Sequence, residues 1–308
     1  MNSSPKEAQE FKANPARYIK TAIIKYTADS PLNRLPDYDN EPVIAEPLVG
    51  FANGYDPIFN EFKKESIIGD FHLTPLEALK VYSEKQKKQK VDIQPAALSV
   101  ISVAFTLTKE TRQSNKPDSK MASPRWRYAY GHAFGLMGET LNYIVTLLET
   151  AGCRAVAPVC TRPMSILMSP EGLPYTDWSE KHGAYAAGLG TFGLNTSLIT
   201  PSGISAHLGS IITDLAIKPS PREYDNHYAY CLHFLDGSCG KCAAHCPSGA
   251  VTTGAFTAKK CMNYTMNELP ALSRELEGEL KPGDHPMCAL CQIRVPCESG
   301  IPSGKSKK

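Results

Sequence analysis

Cysteine is the residue type whose spacing indicates chemistry in this chain of 308 residues. Eight of the ten cysteines fall in about the last quarter of the sequence: Cys231, Cys239, Cys242, Cys246, Cys261, Cys288, Cys291 and Cys297. Cys239 and Cys288 each open a close pair, and Pro247 follows Cys246. Thiolates at this spacing with a Cys-Pro ending are typical of bacterial 4Fe–4S sites. The sequence therefore predicts two 4Fe–4S clusters and one-electron transfer.

Zinc is the alternative metal, because four-cysteine zinc sites use the same close pairs. The closely following Cys246 and its proline favour iron–sulfur, since a tetrahedral zinc site needs neither. Disulfides are not expected, because the polar N-terminus carries no apolar secretion signal and the chain is predicted to be cytoplasmic. Cys153 and Cys160 stand apart from the eight and are interpreted as buried structural residues.

The order of the cysteines predicts which cluster each one binds. In two-cluster ferredoxins the fourth cysteine of each run binds the other cluster. This rule gives one set of Cys246, Cys261, Cys288 and Cys291, and a second set of Cys239, Cys242, Cys297 and one further ligand. The usual spacing places that ligand at position 236, which is Asp236. We choose Cys231, because thiolate binds cluster iron better than carboxylate does, and Asp236 is the alternative.

The composition is that of an ordinary soluble protein, with 42% hydrophobic and 21% charged residues. The sequence contains no run of eighteen apolar residues, so it predicts no membrane span. The net charge of +2 gives no electrostatic case for nucleic acid, so nucleic acid is predicted to be an unlikely partner.

Alternating helices and strands are predicted up to about residue 218. Thr74, Pro75 and Glu77 form a helix start with a cap, an N1 proline and a capping-box glutamate, and the helix should run to about residue 90. Further helices are predicted at 135–150 and 178–187, and strands at 97–106, 154–159, 197–200 and 207–214, with the last two strands joined by a turn at 201–203. Residues 1–70 show no sustained period.

A boundary is predicted at Pro219-Ser220-Pro221. It divides the chain into an α/β domain, residues 1–218, and a cysteine-rich domain, residues 219–308.

The segment from Gly183 to Gly193, which contains Ala-Gly-Leu-Gly, resembles that of epoxyqueuosine reductases and reductive dehalogenases. Ile199-Thr200-Pro201, Ile212-Thr213-Asp214-Leu215 and the ending Cys246-Pro247-Ser248-Gly249-Ala250 fit the same superfamily. The resemblance covers about residues 125–297. It implies an α/β (α+β) fold in which a nitroreductase-like, cobalamin-binding domain precedes a bacterial two-cluster ferredoxin module. A low-potential donor, ferredoxin or flavodoxin, would then supply electrons for reduction of a small-molecule or modified-base substrate.

The resemblance also implies a set of cofactor-binding residues: Gly188, Leu189, Gly190, Gly193, Asn195, Thr196 and Ser197. Glycines there would let backbone N–H groups approach the phosphate and amide groups of the cobalamin tail. A tight helix-to-strand turn is the alternative reason for the same glycines.

One departure from the superfamily concerns the proton donor. Epoxyqueuosine reductases carry Gly-x-Asp-Tyr-His, whereas this chain has Gly131-His132-Ala133-Phe134-Gly135. His132, Tyr130 and Tyr128 are therefore the candidate catalytic acids, and epoxyqueuosine itself is not the expected substrate.

Three further residues lie just before the Gly-rich segment. His182 is a candidate pocket residue, and Asp177 with Lys181 is interpreted as an ion pair on a helix surface.

An electron-transfer protein that reduces a corrinoid or other redox partner is the alternative function, and a zinc-stabilised binding module is a third. The large α/β part favours the reductase, because a simple electron carrier does not need it.

Overall fold

The computed structural model describes residues 5–87, 94–116, 119–161, 166–170, 172–277 and 287–304, and it shows a mixed α/β chain. Its strands are β1 (Leu48–Asn53), β2 (Ser99–Thr106), β3 (Ala155–Val156), β4 (Ile166–Met168), β5 (Pro174–Thr176), β6 (Thr191–Phe192), β7 (Leu198–Ile199) and β8 (Ala206–Thr213). Its helices are α1 (Pro5–Ala13), α2 (Pro15–Asp29), α3 (Ile58–Glu61), α4 (Pro75–Lys87), α5 (Lys109–Gln113), α6 (Pro124–Thr150), α7 (Glu180–Ala186), α8 (Leu232–Asp236), α9 (Lys241–Ala244), α10 (Ala258–Asn263) and α11 (Leu269–Glu277).

An antiparallel sheet with the strand order β1-β2-β8-β3 forms the centre of the α/β part. β2 is buried along its whole length, because helices cover both faces of the sheet. Ile101, Val103 and Phe105 pack in the layer that contains α6. Val100 packs in the opposite layer with Leu79 of α4. The alternation of side chains along a strand therefore divides the core into two layers.

Helix α6 begins eleven residues earlier than the periodicity of its sequence predicts. Ser123 Oγ accepts a hydrogen bond from the backbone N–H of Trp126, and Pro124 occupies the first helical turn. This cap and proline are a helix-start signal that the periodicity did not capture. Tyr128, Tyr130 and His132 consequently lie on a helix whose buried face packs on β8.

The start predicted for α4 is confirmed. Thr74 and Glu77 form the reciprocal bonds of a capping box, and Lys63 pairs with the same glutamate at 2.8 Å. The predicted end near residue 90 lies outside the described residues. The strands predicted at 97–106 and 207–214 are confirmed as β2 and β8.

Other predictions about the elements were wrong or incomplete. The predicted strand at 197–200 is shortened to β7, which pairs with β6 and not with β8. The strand predicted at 154–159 is reduced to β3, and a 3-10 turn follows it. The N-terminal region that gave no period contains α1, α2 and the edge strand β1. Cys153 and Cys160 are partly exposed, and the Cys160 thiol lies 3.6 Å from the Gly138 carbonyl.

The cysteine-rich part follows residues 219–221, which lie along the edge of the sheet. Ser220 donates its backbone N–H to Phe51 O, and its hydroxyl accepts from Phe51 N. The segment predicted as a boundary is therefore hydrogen-bonded to β1. Beyond it, α8 to α11 are short, and a π-helical stretch, Tyr264–Glu268, joins α10 to α11. Within the described ranges, no helix combines the length and apolar character that a bilayer crossing requires.

Candidate functional site

Four cysteines from distant positions gather in a first thiol set: Cys231, Cys239, Cys242 and Cys297 line one small cavity. Leu194, Ile199 and Val295 form its apolar wall. Burial, followed by the neighbouring thiols, raises the pKa of Cys297 to about 12 and that of Cys242 to about 11.

The second thiol set contains Cys246, Cys261, Cys288 and Cys291, which interact electrostatically with one another. Burial raises the pKa of Cys288 to about 11, with smaller contributions from Cys246 and Cys261. Cys246 differs, because hydrogen bonds from Ser248 and from the Val251 backbone outweigh burial and lower its pKa. Hydrogen bonds to cysteine sulfur are one of the means by which proteins set cluster potentials.

The grouping in space follows the crossed order of the sequence. Cys246 lies with the cysteines that come after it in the chain, and Cys297 lies with those of the earlier run. Asp236 stands at the end of α8, where its carboxylate accepts from Ser238 N, and it does not line the first cavity. Cys231 does line it. The identity of the metal ligands stays a prediction, and this geometry supports Cys231.

The chemistry of the donor sets, four thiols each, suits iron–sulfur clusters. Among the described residues, no group of three or more His, Cys, Asp or Glu side chains is arranged to hold one metal ion. The four thiols of the first set line a common cavity, and the four thiols of the second set interact electrostatically with one another.

The loop between α7 and β7 joins the two parts of the chain. Asn195 Nδ2 donates to Cys291 O at 2.9 Å, and Gln292 Nε2 donates to Ser197 Oγ at 3.3 Å. On the other side of the loop, Tyr230 N donates to Thr191 Oγ1 at 2.9 Å. Asn195 and Ser197, which the sequence predicted to bind a cofactor, therefore hold the loop against the second thiol set.

Close packing accounts for two glycines in this loop. Gly188 has φ +80°, and a Cβ there would lie 2.5 Å from Pro221 O. A Cβ on Gly190 would clash with the backbone carbonyl of Ile199. The tight turn that the sequence left as an alternative is thus present. Leu189 is buried against Leu198.

Thr196, in contrast, adopts φ +60°, which is rare for a β-branched residue and marks backbone strain. It lines a large cavity, as does Gly193.

That large cavity has a volume of about 1120 Å³ and lies between α7, the region around α3 and the cysteine-rich part. Aromatic side chains are prominent in its walls, with Phe62, Trp178 and Phe192 among them. His182 also lines it, as predicted for a pocket residue, and hydrogen-bonds Ser179 Oγ through Nδ1 at 2.8 Å. Burial lowers the pKa of His182 to about 3, so this imidazole is neutral at physiological pH.

A second, smaller cavity of about 220 Å³ lies between α6, the start of β8 and the second thiol set. Trp126, Tyr130, Lys181, Ser197, His207 and Gln292 contribute to its wall. The Tyr130 and His207 rings contact each other in a tilted arrangement with centroids 4.1 Å apart, and His207 Nε2 lies 3.1 Å from Tyr130 O. Burial raises the pKa of Tyr130, which keeps the phenol protonated.

The three candidate acids are therefore not equivalent. Tyr130 lines the small cavity, whereas Tyr128 and His132 line neither cavity described above. Their rings contact each other instead, tilted, with centroids 4.4 Å apart. His207 is a cavity residue that the sequence reasoning missed. His207 and Ile211 are four residues apart in β8, so their side chains lie on the same face of the strand, the face that packs against α6. This two-residue periodicity could have identified His207 from the sequence.

Lys181 lines both cavities, and the interpretation as an ion pair with Asp177 was wrong. Asp177 accepts a hydrogen bond from the Tyr82 hydroxyl. The ammonium group lies near the second thiol set: burial lowers the pKa of Lys181, and Cys291 and Cys261 raise it in part.

Comparisons with known proteins found relatives in sequence and in fold. No family model matches the chain. A curated epoxyqueuosine reductase from Gloeobacter violaceus is 30% identical over 220 residues, which are 69% of this chain and 60% of that protein. A solved structure of selenomethionine-labelled epoxyqueuosine reductase superposes with a TM-score of 0.50 at 17% identity and covers 94% of this chain and 68% of its own. The fold is thus the mixed α/β fold of an epoxyqueuosine reductase. In sequence and in fold the chain is similar to epoxyqueuosine reductases.

The chain spans about 60% of the length of that curated relative, so the activity of the relative is not transferred whole. A further solved neighbour, an epoxyqueuosine reductase with an epoxyqueuosine-modified tRNA stem loop, has a TM-score of 0.48, 17% identity, and covers 94% of this chain and 68% of its own. The expectation that nucleic acid is an unlikely partner has to be corrected. It rested on net charge alone, and net charge does not by itself exclude a nucleic-acid partner.

Proposed function

We propose that this protein is a cytoplasmic iron–sulfur reductase in which two 4Fe–4S clusters deliver electrons to a cobalamin-dependent site. The observation that carries the proposal is the separation of eight thiols into two sets of four, in the crossed order of a two-cluster ferredoxin. One cluster would be held by Cys231, Cys239, Cys242 and Cys297, and the other by Cys246, Cys261, Cys288 and Cys291. The domain pair, nitroreductase-like and ferredoxin-like, is part of this proposal.

The large cavity fits a cofactor of cobalamin size. Its volume of about 1120 Å³ exceeds the usual range for small-ligand pockets, which ends near 1,000 Å³. Gly193 and Thr196 offer backbone groups at its wall, and Lys181 marks the side nearest the second thiol set. Bound cobalamin would supply a strongly reducing centre. Asn195 and Ser197 would keep the loop that forms this wall docked on the second thiol set.

Tyr130 is the proton donor that the geometry supports best. It lines the small cavity, its phenol is kept protonated by burial, and the His207 ring restrains it. His132 and Tyr128 do not line this cavity, so they could not donate a proton directly to a substrate bound there. The substrate would be a small molecule or a modified base, and a low-potential donor such as ferredoxin or flavodoxin would supply electrons.

Metal analysis tests this proposal. Anaerobically reconstituted protein should contain about eight iron and eight sulfide per chain, four of each per cluster. Bound zinc, or four or fewer iron atoms after full reconstitution, would contradict it. Addition of hydroxocobalamin should then shift the corrinoid spectrum with displacement of the lower base. Full cluster content without any cobalamin binding would favour the electron-transfer alternative.

A further inference from the structure

The small cavity carries unsatisfied hydrogen-bond groups. The indole N–H of Trp126 is buried and has no hydrogen-bond partner among the described residues, and neither has the hydroxyl of Ser205. Both residues are only 2% exposed, and both line the cavity. Leaving a buried polar group unpaired costs about 1–3 kcal/mol, so a pair of them beside an open space indicates that a ligand completes their bonding.

The charge of the cavity wall is positive. Lys181 lines it, and no acidic side chain is found among the described residues that form this wall. Trp126 and Lys181 can only donate hydrogen bonds, and the Ser205 hydroxyl can donate as well. Three donors, one of them cationic, match the lone pairs of an oxyanion.

The size of the cavity limits the ligand. Its volume of about 220 Å³ equals roughly seven water molecules at about 30 Å³ each. The stacked rings of Trp126 and Tyr130, with centroids 5.0 Å apart, bound one side with apolar surface. A small organic acid fits such a space, because its oxyanion pairs with the donors while its carbon atoms contact the rings.

We propose that this cavity binds the oxyanion group, most simply a carboxylate, of a small substrate through Lys181, Trp126 and Ser205. The proposal rests on the proposed function only in calling the ligand a substrate. Anion binding itself needs neither cluster nor cobalamin. It places the charged group of the substrate beside Tyr130, on the side of the cavity wall that borders the second thiol set.

Butyrate and its neutral isostere butyramide are suitable probes, and ligand-observed NMR on the reconstituted protein measures both dissociation constants. We expect butyrate to bind at least about tenfold more tightly, because a charge-assisted hydrogen bond is worth roughly twice a neutral one. Lys181→Gln should abolish this preference. Ser205→Ala should weaken butyrate binding about threefold or more, and it provides a second variant in case Lys181→Gln does not fold. The exposed Lys64→Gln, which removes a surface ion pair with Glu61, is the matched control and should leave both constants unchanged.

Equal binding of the acid and the amide would overturn the proposal, as would an unchanged preference in both cavity variants. The iron and sulfide content of the same samples separates the two hypotheses. Selective anion binding by protein without clusters would support the anion site and contradict the proposed reductase. Full cluster content without selectivity for the anion would contradict the anion site and support the cluster part of the proposed reductase.

Discussion

At the scale of single residues, Cys231 and Asp236 are the two candidates for the fourth ligand of the first cluster. Cys231 lines the cavity of that set, whereas Asp236 accepts from Ser238 N outside it. Cys231→Ala should therefore lose one of the two clusters, about four iron atoms per chain. Asp236→Ala should keep both. Iron and sulfide analysis, together with electron paramagnetic resonance of the reduced protein, measures the outcome, and the opposite pattern would assign the ligand to Asp236.

A buried histidine makes stability depend on pH. His72 is 1% exposed, and burial, followed by Lys63, lowers its pKa to about 4, while Asp177 and Glu77 act in the opposite direction. Because the folded state disfavours the charged form, the stabilisation is complete above the unfolded pKa of about 6.5. It is lost as the pH falls from there towards about 4. The whole effect is worth at most about 3 kcal/mol.

The measurement is the thermal unfolding midpoint of holoprotein between pH 5 and pH 8. The midpoint of the wild type should fall more steeply on acidification than that of His72→Gln. The exposed His227→Gln is the control and should follow the wild type. If His72→Gln shows the same slope as the wild type, burial of this imidazole does not govern the pH dependence.

At the scale of elements, the loop from α7 to β7 determines how the cysteine-rich part meets the sheet. Gly190 lies so close to the Ile199 carbonyl that any Cβ would collide with backbone atoms, which cannot move aside as a side chain can. Gly190→Ala should therefore destabilise the protein by about 1–3 kcal/mol, the usual cost of overpacking.

Gly138 provides the matched control, because it lies in α6 and a Cβ there meets nothing within 4 Å. Gly138→Ala should stabilise the protein by up to about 1 kcal/mol through helix propensity. Thermal unfolding compares the two variants, which should shift the midpoint in opposite directions. A neutral Gly190→Ala would show that the loop can relax away from Ile199.

At the scale of the whole molecule, the prediction concerns the substrate. The position of the acid in the epoxyqueuosine reductase segment is occupied by Ala133, which is fully buried in the core beside Leu136. The acid is therefore absent, and a carboxylate introduced at that position would enter the core. We expect little or no turnover of epoxyqueuosine-containing tRNA, since general-acid help is typically worth about a hundredfold or more.

An assay of the reconstituted protein with that tRNA and a strong low-potential reductant measures this turnover directly. An authentic epoxyqueuosine reductase under the same conditions is the positive control. Comparable rates for the two proteins would show that the missing acid is replaced by another group, and Tyr130→Phe would then identify whether that group is Tyr130.

The sequence by itself determined the local features of this protein. The spacing of the eight cysteines predicted the two groups that the structure brings together, although their role as ligands stays a prediction. Capping at Thr74 and the β-branched, apolar run at 97–106 correctly predicted the start of α4 and the strand β2, because caps and strand propensity depend on neighbours in the chain.

Only the tertiary structure decided the partners that lie far apart in sequence. The pairing of β7 with β6 was not predictable from the turn between β7 and β8, because strand pairing depends on long-range packing. The small cavity unites Trp126, Lys181 and Ser205, which sit on α6, on α7 and just before β8. No local pattern relates these three residues, since it is the packing of two helices on one sheet that brings their side chains together.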